Sequence, residues 1–216
     1  MNVNFLLSHF FKYTEPAIEV FDKDSIYPSY FQLQERLLGM PNIERSVLQA
    51  LAYCFYEIMD NVLDHSGKQN GVVIMEYDDE QKRIRVLVAD EGIGVRASLS
   101  QNPEFAEVTE EDALKSCIED RVTSGSGMGF GLFCTARLVK FAGTRLLIHS
   151  GNHFLRYENG ESNVERNGFW QGTIIFLELV SDKEINPNSV VDNRTDVISQ
   201  YNETFLENQD TFDKLW

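Results

Sequence analysis

The feature of this sequence that most constrains its fold is a run of glycines at every second position, directly before a helical stretch. Gly125, Gly127, Gly129 and Gly131 alternate with other residues, and residues 130–141 have the apolar content of a helix. A backbone without side chains can come close to a ligand, and unpaired N–H groups at the start of a helix attract anions. The run therefore predicts a phosphate-binding segment, although a flexible hinge would have the same composition.

A second long helix is predicted upstream, at residues 46–65. Its apolar residues recur at spacings of three and four, so they form one stripe that should face the core. The stripe consists of Leu48, Leu51, Phe55, Ile58 and Val62. At about 100° per residue, Glu57, Asn61 and Asp64 fall within an arc of roughly 60° on another side. Such a face can be an ordinary solvated surface, or Glu57 can act as a general base while Asn61 supplies an oxygen to Mg²⁺.

Two strand-like runs at residues 71–77 and 83–89 are joined by a polar loop, which predicts an antiparallel hairpin. The segment Asp90-Glu-Gly92-Ile-Gly94 follows directly, placing a carboxylate at a strand end and two glycines where a flat ligand could approach the backbone. From Gly92 onward the segment also imitates the dinucleotide-binding pattern G-x-G-x-x-G/A. We exclude that interpretation, because the preceding strands are antiparallel and residues 98–111 are predicted as loop.

The remaining strands are predicted at residues 144–149, 154–158 and 172–180, and the last begins with Gly172-Thr173. Taken in order, the four motifs (Glu-x-x-x-Asn, Asp-x-Gly-x-Gly, Gly-x-Gly-x-Gly and Gly-Thr) resemble the ATP-binding domain of the GHKL superfamily. That superfamily includes histidine kinases, DNA gyrase B, the Hsp90 chaperones and MutL. The resemblance implies a two-layer α/β sandwich of the Bergerat type, with helices on one face of a mixed, largely antiparallel sheet.

The resemblance also implies a role for each motif residue on the base side of the nucleotide. Asp90 would accept a hydrogen bond from the adenine amino group, and Thr173 would assist through an ordered water. Gly92 and Gly94 would shape the adenine pocket. Residues 95–124 would form the lid over the nucleotide.

On the phosphate side, the resemblance implies that Glu57 polarises the attacking nucleophile and that Asn61 ligates the Mg²⁺ that bridges the phosphates. The phosphates themselves would lie against the glycine run. Its members are Gly125, Gly127, Gly129 and Gly131. The implied cofactors are therefore ATP and Mg²⁺.

The charge and cysteine content of the chain limit the classes of partner that it is expected to bind. The chain has 19 Lys and Arg against 34 Asp and Glu, a formal net charge of −15, which should repel nucleic acid and anionic membranes. The three cysteines are widely spaced, and no targeting sequence or long apolar run is visible. These features predict a cytoplasmic protein with reduced thiols, no membrane contact and no nucleic-acid partner.

The organisation of the chain separates it from several GHKL subfamilies. His9 is followed by Phe10, so residues 1–45 lack the phosphoacceptor hairpin of sensor kinases and are predicted as an extension packed on the domain. The aromatic start of the chain is expected to pack in the core or against a second copy, which leaves a homodimer open. Residues 46–180 form the predicted ATP-binding domain, and residues 181–216 form a predicted acidic tail outside the core.

The best match in size is a stand-alone protein similar to the anti-sigma-factor serine kinases, which phosphorylate a separate protein. The resemblance therefore implies an Mg-ATP-binding protein that phosphorylates or regulates a protein partner. The alternative is an ATPase or interaction module whose lid switches on ATP binding and hydrolysis without phosphorylating a partner.

Overall fold

A layer of helices covers a five-stranded sheet in the computed structural model of this protein, which describes residues 1–11, 15–125 and 129–193. The helices are α1 (Val3–Phe10), α2 (Ile26–Leu38), α3 (Arg45–His65), α4 (Gly94–Leu99), α5 (Glu110–Ser116), α6 (Gly131–Ala142) and α7 (Pro187–Val190). The strands are β1 (Ala17–Asp22), β2 (Asn70–Asp78), β3 (Arg83–Ala89), β4 (Arg145–Glu158) and β5 (Glu161–Val180).

The strands are ordered β1-β2-β3-β5-β4, and each of these four pairings is antiparallel. The predicted hairpin is β2–β3, with Val72 opposite Ala89 and Asp78 opposite Arg83. The predicted two-layer α/β sandwich with a largely antiparallel sheet is therefore confirmed. The end of β3 lies beside the start of the apolar part of β5, because Ala89 pairs with Ile174.

Alternate residues of the central strands face opposite sides of the sheet, and both sides are buried. Val73 and Met75 of β2 belong to the large core under α2, α3 and α6. Val72 and Ile74 belong to a second, smaller core on the other face. Helix α1 covers that second face through Leu6, which has 0% exposure. The main helical layer thus lies on one face as predicted, and α1 is an additional helix on the opposite, outer face.

Helix α3 spans the predicted helix with one residue more at its start. All five residues of the predicted apolar stripe are buried, so the spacing identified the core side of the helix correctly. The helix ends at His65, where the main-chain N–H of Ser66 donates to the carbonyl of Val62. Glu57 and Asn61 are only partly buried and lie away from the stripe.

Residues 15–45 contribute to the same sheet and core as the rest of the chain. Strand β1 forms one edge of the sheet, with Ala17 opposite Met75 of β2. Helix α2 buries Tyr30, Leu33 and Leu37 in the main core. The sequence did not predict these elements, because β1 is short and the apolar residues of both elements meet partners far along the chain.

The predicted lid contains more helix than expected. Helix α4 and a 3-10 turn at Pro103–Phe105 occupy part of the segment that we predict as loop, and α4 has only six residues, too few to show a period. The short helix expected after Thr109 is present as α5. Its start is capped by Thr109 Oγ1, which accepts from the N–H of Asp112 at 3.1 Å.

The strands predicted at 144–149 and 154–158 are parts of one strand, β4. The pairing with β5 shifts register between Ser150 and His153, and this irregularity explains the apparent break in the sequence pattern. Strand β5 also begins earlier than predicted, at Glu161. Both strands therefore extend beyond the sheet core as a long hairpin.

The prediction that nothing after Ser181 belongs to the core is wrong for Val190 and Val191. Val190 is 0% exposed and Val191 is 7% exposed, and both belong to the main core. Arg137 of α6 holds this segment by donating from Nε to the carbonyl of Ser189 at 3.0 Å. Residues 194–216 lie outside the described residues. Within the described ranges, no helix is long and apolar enough to cross a membrane.

Candidate functional site

A cavity of about 340 Å³ lies between α3, α4, the start of α6 and the inner face of the sheet. This volume is within the range of small-molecule sites, roughly 300–1,000 Å³. Four separate segments of the chain meet there: α3, the end of β3, the glycine run and β5. The predicted site residues that line the cavity are Glu57, Asn61, Asp90, Gly94, Gly129, Gly131 and Thr173.

Of the other three predicted residues, Gly92 and Gly125 are described and do not line the cavity. Gly92 lies behind the cavity wall, where its N–H donates to Asp90 Oδ1 at 2.7 Å. Among the described residues, no atom lies within 4 Å of a Cβ atom added to Gly125. Gly127 lies outside the described residues.

Asp90 supplies the buried carboxylate of the site. The residue is 3% exposed, and its own N–H donates to the carbonyl of Thr173 at 2.9 Å. Burial raises the pKa of Asp90 to about 6, even though hydrogen bonds from the main chains of Gly92 and Thr173 act to lower it. At neutral pH this carboxylate is largely ionised, so it is an acceptor suited to an amino group of a ligand.

Glu57 and Asn61 lie one turn apart on α3 and face the start of α6. A Cβ atom added to Gly131 would lie 3.2 Å from Glu57 Oε2 and 3.2 Å from Asn61 Nδ2, so a side chain there would press these two residues back by a few tenths of an ångström. Burial raises the pKa of Glu57 to about 7, with a further contribution from the negative charge of Asp60. A carboxylate with this pKa can accept and release a proton near neutral pH.

The start of α6 lines the same cavity through Gly129, Phe130 and Gly131. The residue before the helix is Phe130, which has no side-chain oxygen to cap it, and the first turn carries no acidic residue. Unpaired N–H groups and the helix dipole make such a terminus favourable for an anion. The wall formed by Gly129 and Gly131 therefore suits the phosphates of a ligand.

Two serines that the sequence analysis missed hold the Asp90–Gly94 turn in place. The carbonyl of Ser66, just after α3, accepts from the N–H of Ile93 at 2.8 Å. Ser150 Oγ of β4 accepts from the N–H of Val95 at 2.9 Å and donates to the carbonyl of Gly172 at 2.8 Å. Because these contacts involve main-chain atoms of the turn, no spacing rule in the sequence marks them.

His65 also has a role that the sequence left open. Its Nδ1 lies 3.0 Å from Ser124 Oγ, so the end of α3 is connected to the end of the lid. Burial lowers the pKa of His65, which favours the neutral ring. This partly buried histidine lines the cavity beside Asn61 and Asp64.

Comparison with protein families gives one match. Residues 47–180 match the family described as histidine kinase-, DNA gyrase B- and HSP90-like ATPases. The match extends from the first turn of α3 to the end of β5 and covers more than half of the chain. The chain belongs to this ATPase family. A search of curated proteins finds no match.

Membership in the ATPase family agrees with the geometry of the cavity. The matched segment contains every residue predicted for the site. An ATP-binding domain therefore occupies residues 47–180, and its nucleotide would fit between the buried carboxylate of Asp90 and the N–H groups at the start of α6. The family match does not reach β1, which completes the sheet, α1, which covers its outer face, or α2, which packs in the main core.

Proposed function

We propose that this protein is an Mg-ATP-dependent kinase that phosphorylates a separate protein, as the anti-sigma-factor serine kinases do. The observation that carries the proposal is Glu57, a carboxylate whose pKa lies near 7 and which contacts the start of α6, where the phosphates would lie. A domain that only binds ATP needs no such base at this position.

In the proposed reaction, a hydroxyl oxygen of the partner attacks the terminal phosphorus of ATP. The bond from that phosphorus to the bridging oxygen breaks, and ADP leaves with that oxygen. Glu57 accepts the proton of the attacking hydroxyl, which a carboxylate with a pKa near 7 can do at neutral pH. Asp90 orients the nucleotide by accepting a hydrogen bond from the adenine amino group, with Thr173 beside it.

Asn61 is the residue that would hold Mg²⁺. Its amide lies on the cavity wall next to Glu57 and Gly131, and an amide oxygen is a hard ligand of the kind that Mg²⁺ uses. Within the described residues, no three His, Cys, Asp or Glu side chains are grouped as a metal centre. This arrangement fits Mg²⁺, which keeps several waters and shares its other ligands with phosphates. The ion would supply positive charge against the triphosphate.

The proposed partner is a protein, because a net charge of −15 disfavours nucleic acid and anionic membranes. A cytoplasmic location and a homodimer stay predictions. Ile18 and Val20 on the edge strand β1 are 40% and 64% exposed, which makes this edge the natural place to look for contact between two copies.

The second candidate is a nucleotide-gated module, and the attachment of the lid favours it. Glu110, the first residue of α5, accepts from the N–H of Asn152 at 3.2 Å and pairs with His153 Nδ1 at 2.8 Å. A lid with discrete polar attachments to β4, at Val95 as well as at Glu110, has a defined closed position that a nucleotide can stabilise or release. Such a module would report the bound nucleotide to a partner without phosphorylating it.

Incubation with radiolabelled ATP, with and without the product of the neighbouring gene, separates the two functions. Label transferred to the partner, and lost with Glu57→Gln, supports the kinase. Phosphate released without label on the partner supports the nucleotide-gated module. An absence of ATP binding by the wild-type protein would overturn both. Glu35→Gln is the matched control, because Glu35 is an exposed carboxylate on α2 that does not line the cavity.

A further inference from the structure

Two consecutive side chains of β5, Trp170 and Gln171, form hydrogen bonds with the main chain of the turn that carries Asp90. The indole Nε1 of Trp170 donates to the main-chain oxygen of Asp90 at 3.1 Å. The side-chain amide of Gln171 donates to the main-chain oxygen of Gly92. The carbonyls at both ends of this three-residue segment are therefore fixed by β5.

Strand β5 lies unusually close to the same turn. Gly172 has a φ of +94°, and a Cβ atom there would lie 2.4 Å from the carbonyl oxygen of Asp90 and 2.5 Å from the nitrogen of Gly92. A glycine is therefore required for this approach. The N–H of Asp90 is bound to Thr173 and its carbonyl is bound to Trp170, so the peptide groups on both sides of Asp90 are fixed. The direction of its Cα–Cβ bond is therefore fixed as well.

Trp170 is in turn held by α1 on the outer face of the sheet. The rings of Phe5 and Trp170 are stacked, with centroids 6.0 Å apart and an angle of 16° between their planes. Leu6, the next residue of α1, is fully buried and anchors the helix. A continuous contact therefore connects α1, which lies outside the matched family segment, with the buried carboxylate.

We propose that Trp170, supported by Phe5, is a positioning residue that sets the selectivity of the site for adenine over guanine. The proposal rests on the proposed function, in which Asp90 accepts a hydrogen bond from the adenine amino group. Guanine carries a carbonyl oxygen at the corresponding position, which would face the carboxylate unfavourably. Discrimination by a single acceptor requires that its direction be fixed, and the indole N–H fixes it together with the main chains of Thr173 and Gly92.

The direct test is Trp170→Phe, which keeps an aromatic ring to stack on Phe5 and removes the donor to Asp90. The affinities for ADP and GDP are measured by calorimetry. We expect the affinity for ADP to fall by roughly three- to tenfold, the contribution of one hydrogen bond, while the weak affinity for GDP is unchanged. Phe169→Leu is the matched control, because Phe169 is the neighbouring aromatic residue and is 65% exposed.

A merely structural role for Trp170 would lower the affinities for ADP and GDP by the same factor, or lower only the melting temperature. Either result, or an unchanged ratio of the two affinities, overturns the proposal. Failure of the wild-type protein to bind ADP would instead overturn the proposed function, and the proposal with it. Wild-type binding of ADP and GDP with equal affinity leaves the ATP site intact but overturns the selectivity.

A second variant, Phe5→Ala, tests the proposal even if Trp170→Phe does not fold. Phe5 and Trp170 both line an open groove on the outer face, and Phe5 is 38% exposed, so Phe5→Ala should leave the fold intact. It removes the stacking partner and keeps the indole N–H. We expect the ratio of ADP to GDP affinity to fall by about two- to threefold, in line with the worth of one aromatic contact. A ratio equal to that of the wild type overturns the supporting role of α1.

Discussion

Gly131 at the start of α6 lies so close to Glu57 of α3 that a Cβ atom at position 131 would be 3.0 Å from the Cβ of Glu57. Real Cβ atoms seldom come closer than this to their neighbours. The helix that would bind phosphates therefore directly contacts the helix that carries Glu57, the proposed general base. A substitution on one helix should therefore shift side chains on the other.

Gly131→Ala should weaken nucleotide binding and turnover while leaving the fold largely intact. Alanine is the better helix former by about 1 kcal/mol, so the backbone of α6 itself would not be harmed. The added methyl group would push Glu57 and Asn61 away from the phosphate side. ADP affinity and the melting temperature are compared with those of Gly39→Ala, where the nearest atoms are 3.6 Å away. Wild-type ADP affinity in Gly131→Ala would contradict the close contact.

Glu57→Gln should bind ATP within a few-fold of the wild type and lose turnover by roughly 10²–10⁴-fold, the usual contribution of a positioned base. Since Glu57 must be deprotonated to act and its pKa is about 7, wild-type turnover should rise between pH 6 and pH 8. The residual turnover of the variant should lack this rise. A normal rate in Glu57→Gln would show that the base is another residue.

The same carboxylate should make stability depend on pH in the opposite direction. Folding raises the pKa of Glu57 from 4.5 to about 7, so between these values the folded protein binds more protons than the unfolded chain. The free energy of unfolding therefore falls as pH rises through this window. At about 1.4 kcal/mol per pKa unit, the cost at pH 8 is on the order of 3 kcal/mol.

Glu57→Gln removes this group and should raise stability at pH 8 much more than at pH 5. Urea unfolding of both proteins at the two pH values measures the difference. Asp90 has a raised pKa as well and remains in both proteins, so the comparison between them isolates Glu57. An equal effect of the substitution at both pH values would mean that Glu57 is not buried in solution.

Asp90→Asn should abolish most of the stabilisation by nucleotide. The amide oxygen would accept from the N–H of Gly92, which now donates to Asp90 Oδ1, and the amide NH₂ would then face the adenine amino group. Two donors cannot pair. At 100 times the Kd, a ligand stabilises by about 2.7 kcal/mol, which for a domain of this size corresponds to roughly 5–10 °C in Tm. Equal Tm shifts on nucleotide binding in the wild type and the variant would show that Asp90 does not bind the nucleotide.

The sequence predicted those elements whose residues form a regular local pattern. The stripe from Leu48 to Val62 and the β2–β3 hairpin are regular patterns, and both are confirmed. Strand β1 and helix α1 were missed, because their stability comes from contacts with partners far along the chain. Val20 pairs with Val72 of β2, and Leu6 packs on the outer face of the sheet.

The same difference holds for the residues of the site. Those that belong to a recognisable motif were predicted, and those that act only through tertiary contacts were not. Glu57, Asn61 and Asp90 were predicted from motifs in which the side chain itself does the chemistry, and the structure brings them to one cavity. Ser66 and Trp170 were not predicted, because they act on main-chain carbonyl and amide groups of the turn. Any residue type with a suitable donor or acceptor could serve there, so the sequence alone carries no signal.

The predicted lid, residues 95–124, packs buried apolar side chains such as Leu114 into the main core, and polar contacts attach it further to the sheet. The Glu110 carboxylate binds the main chain of Asn152 and the ring of His153, at the point where the register of β4 shifts. A Cβ atom on Gly151 would lie 2.8 Å from Glu110 Oε1, so the carboxylate fits closely against the strand. At the other end of the lid, Ser124 contacts His65 beside the cavity.

Nucleotide binding should protect residues 95–124 against hydrogen exchange, because Val95 and Ser124 of this segment line the cavity and a ligand stabilises the state that it contacts best. Glu110→Ala should weaken the attachment to β4, speed exchange of α5 in the absence of nucleotide, and leave exchange of α3 unchanged. Glu107→Ala is the matched control, since Glu107 is an exposed carboxylate three residues earlier in the chain. The measurement is exchange by mass spectrometry with and without a non-hydrolysable ATP analogue. If exchange of residues 95–124 is identical in both conditions while the analogue binds, the lid is a fixed surface segment, and the nucleotide-gated function loses its structural basis.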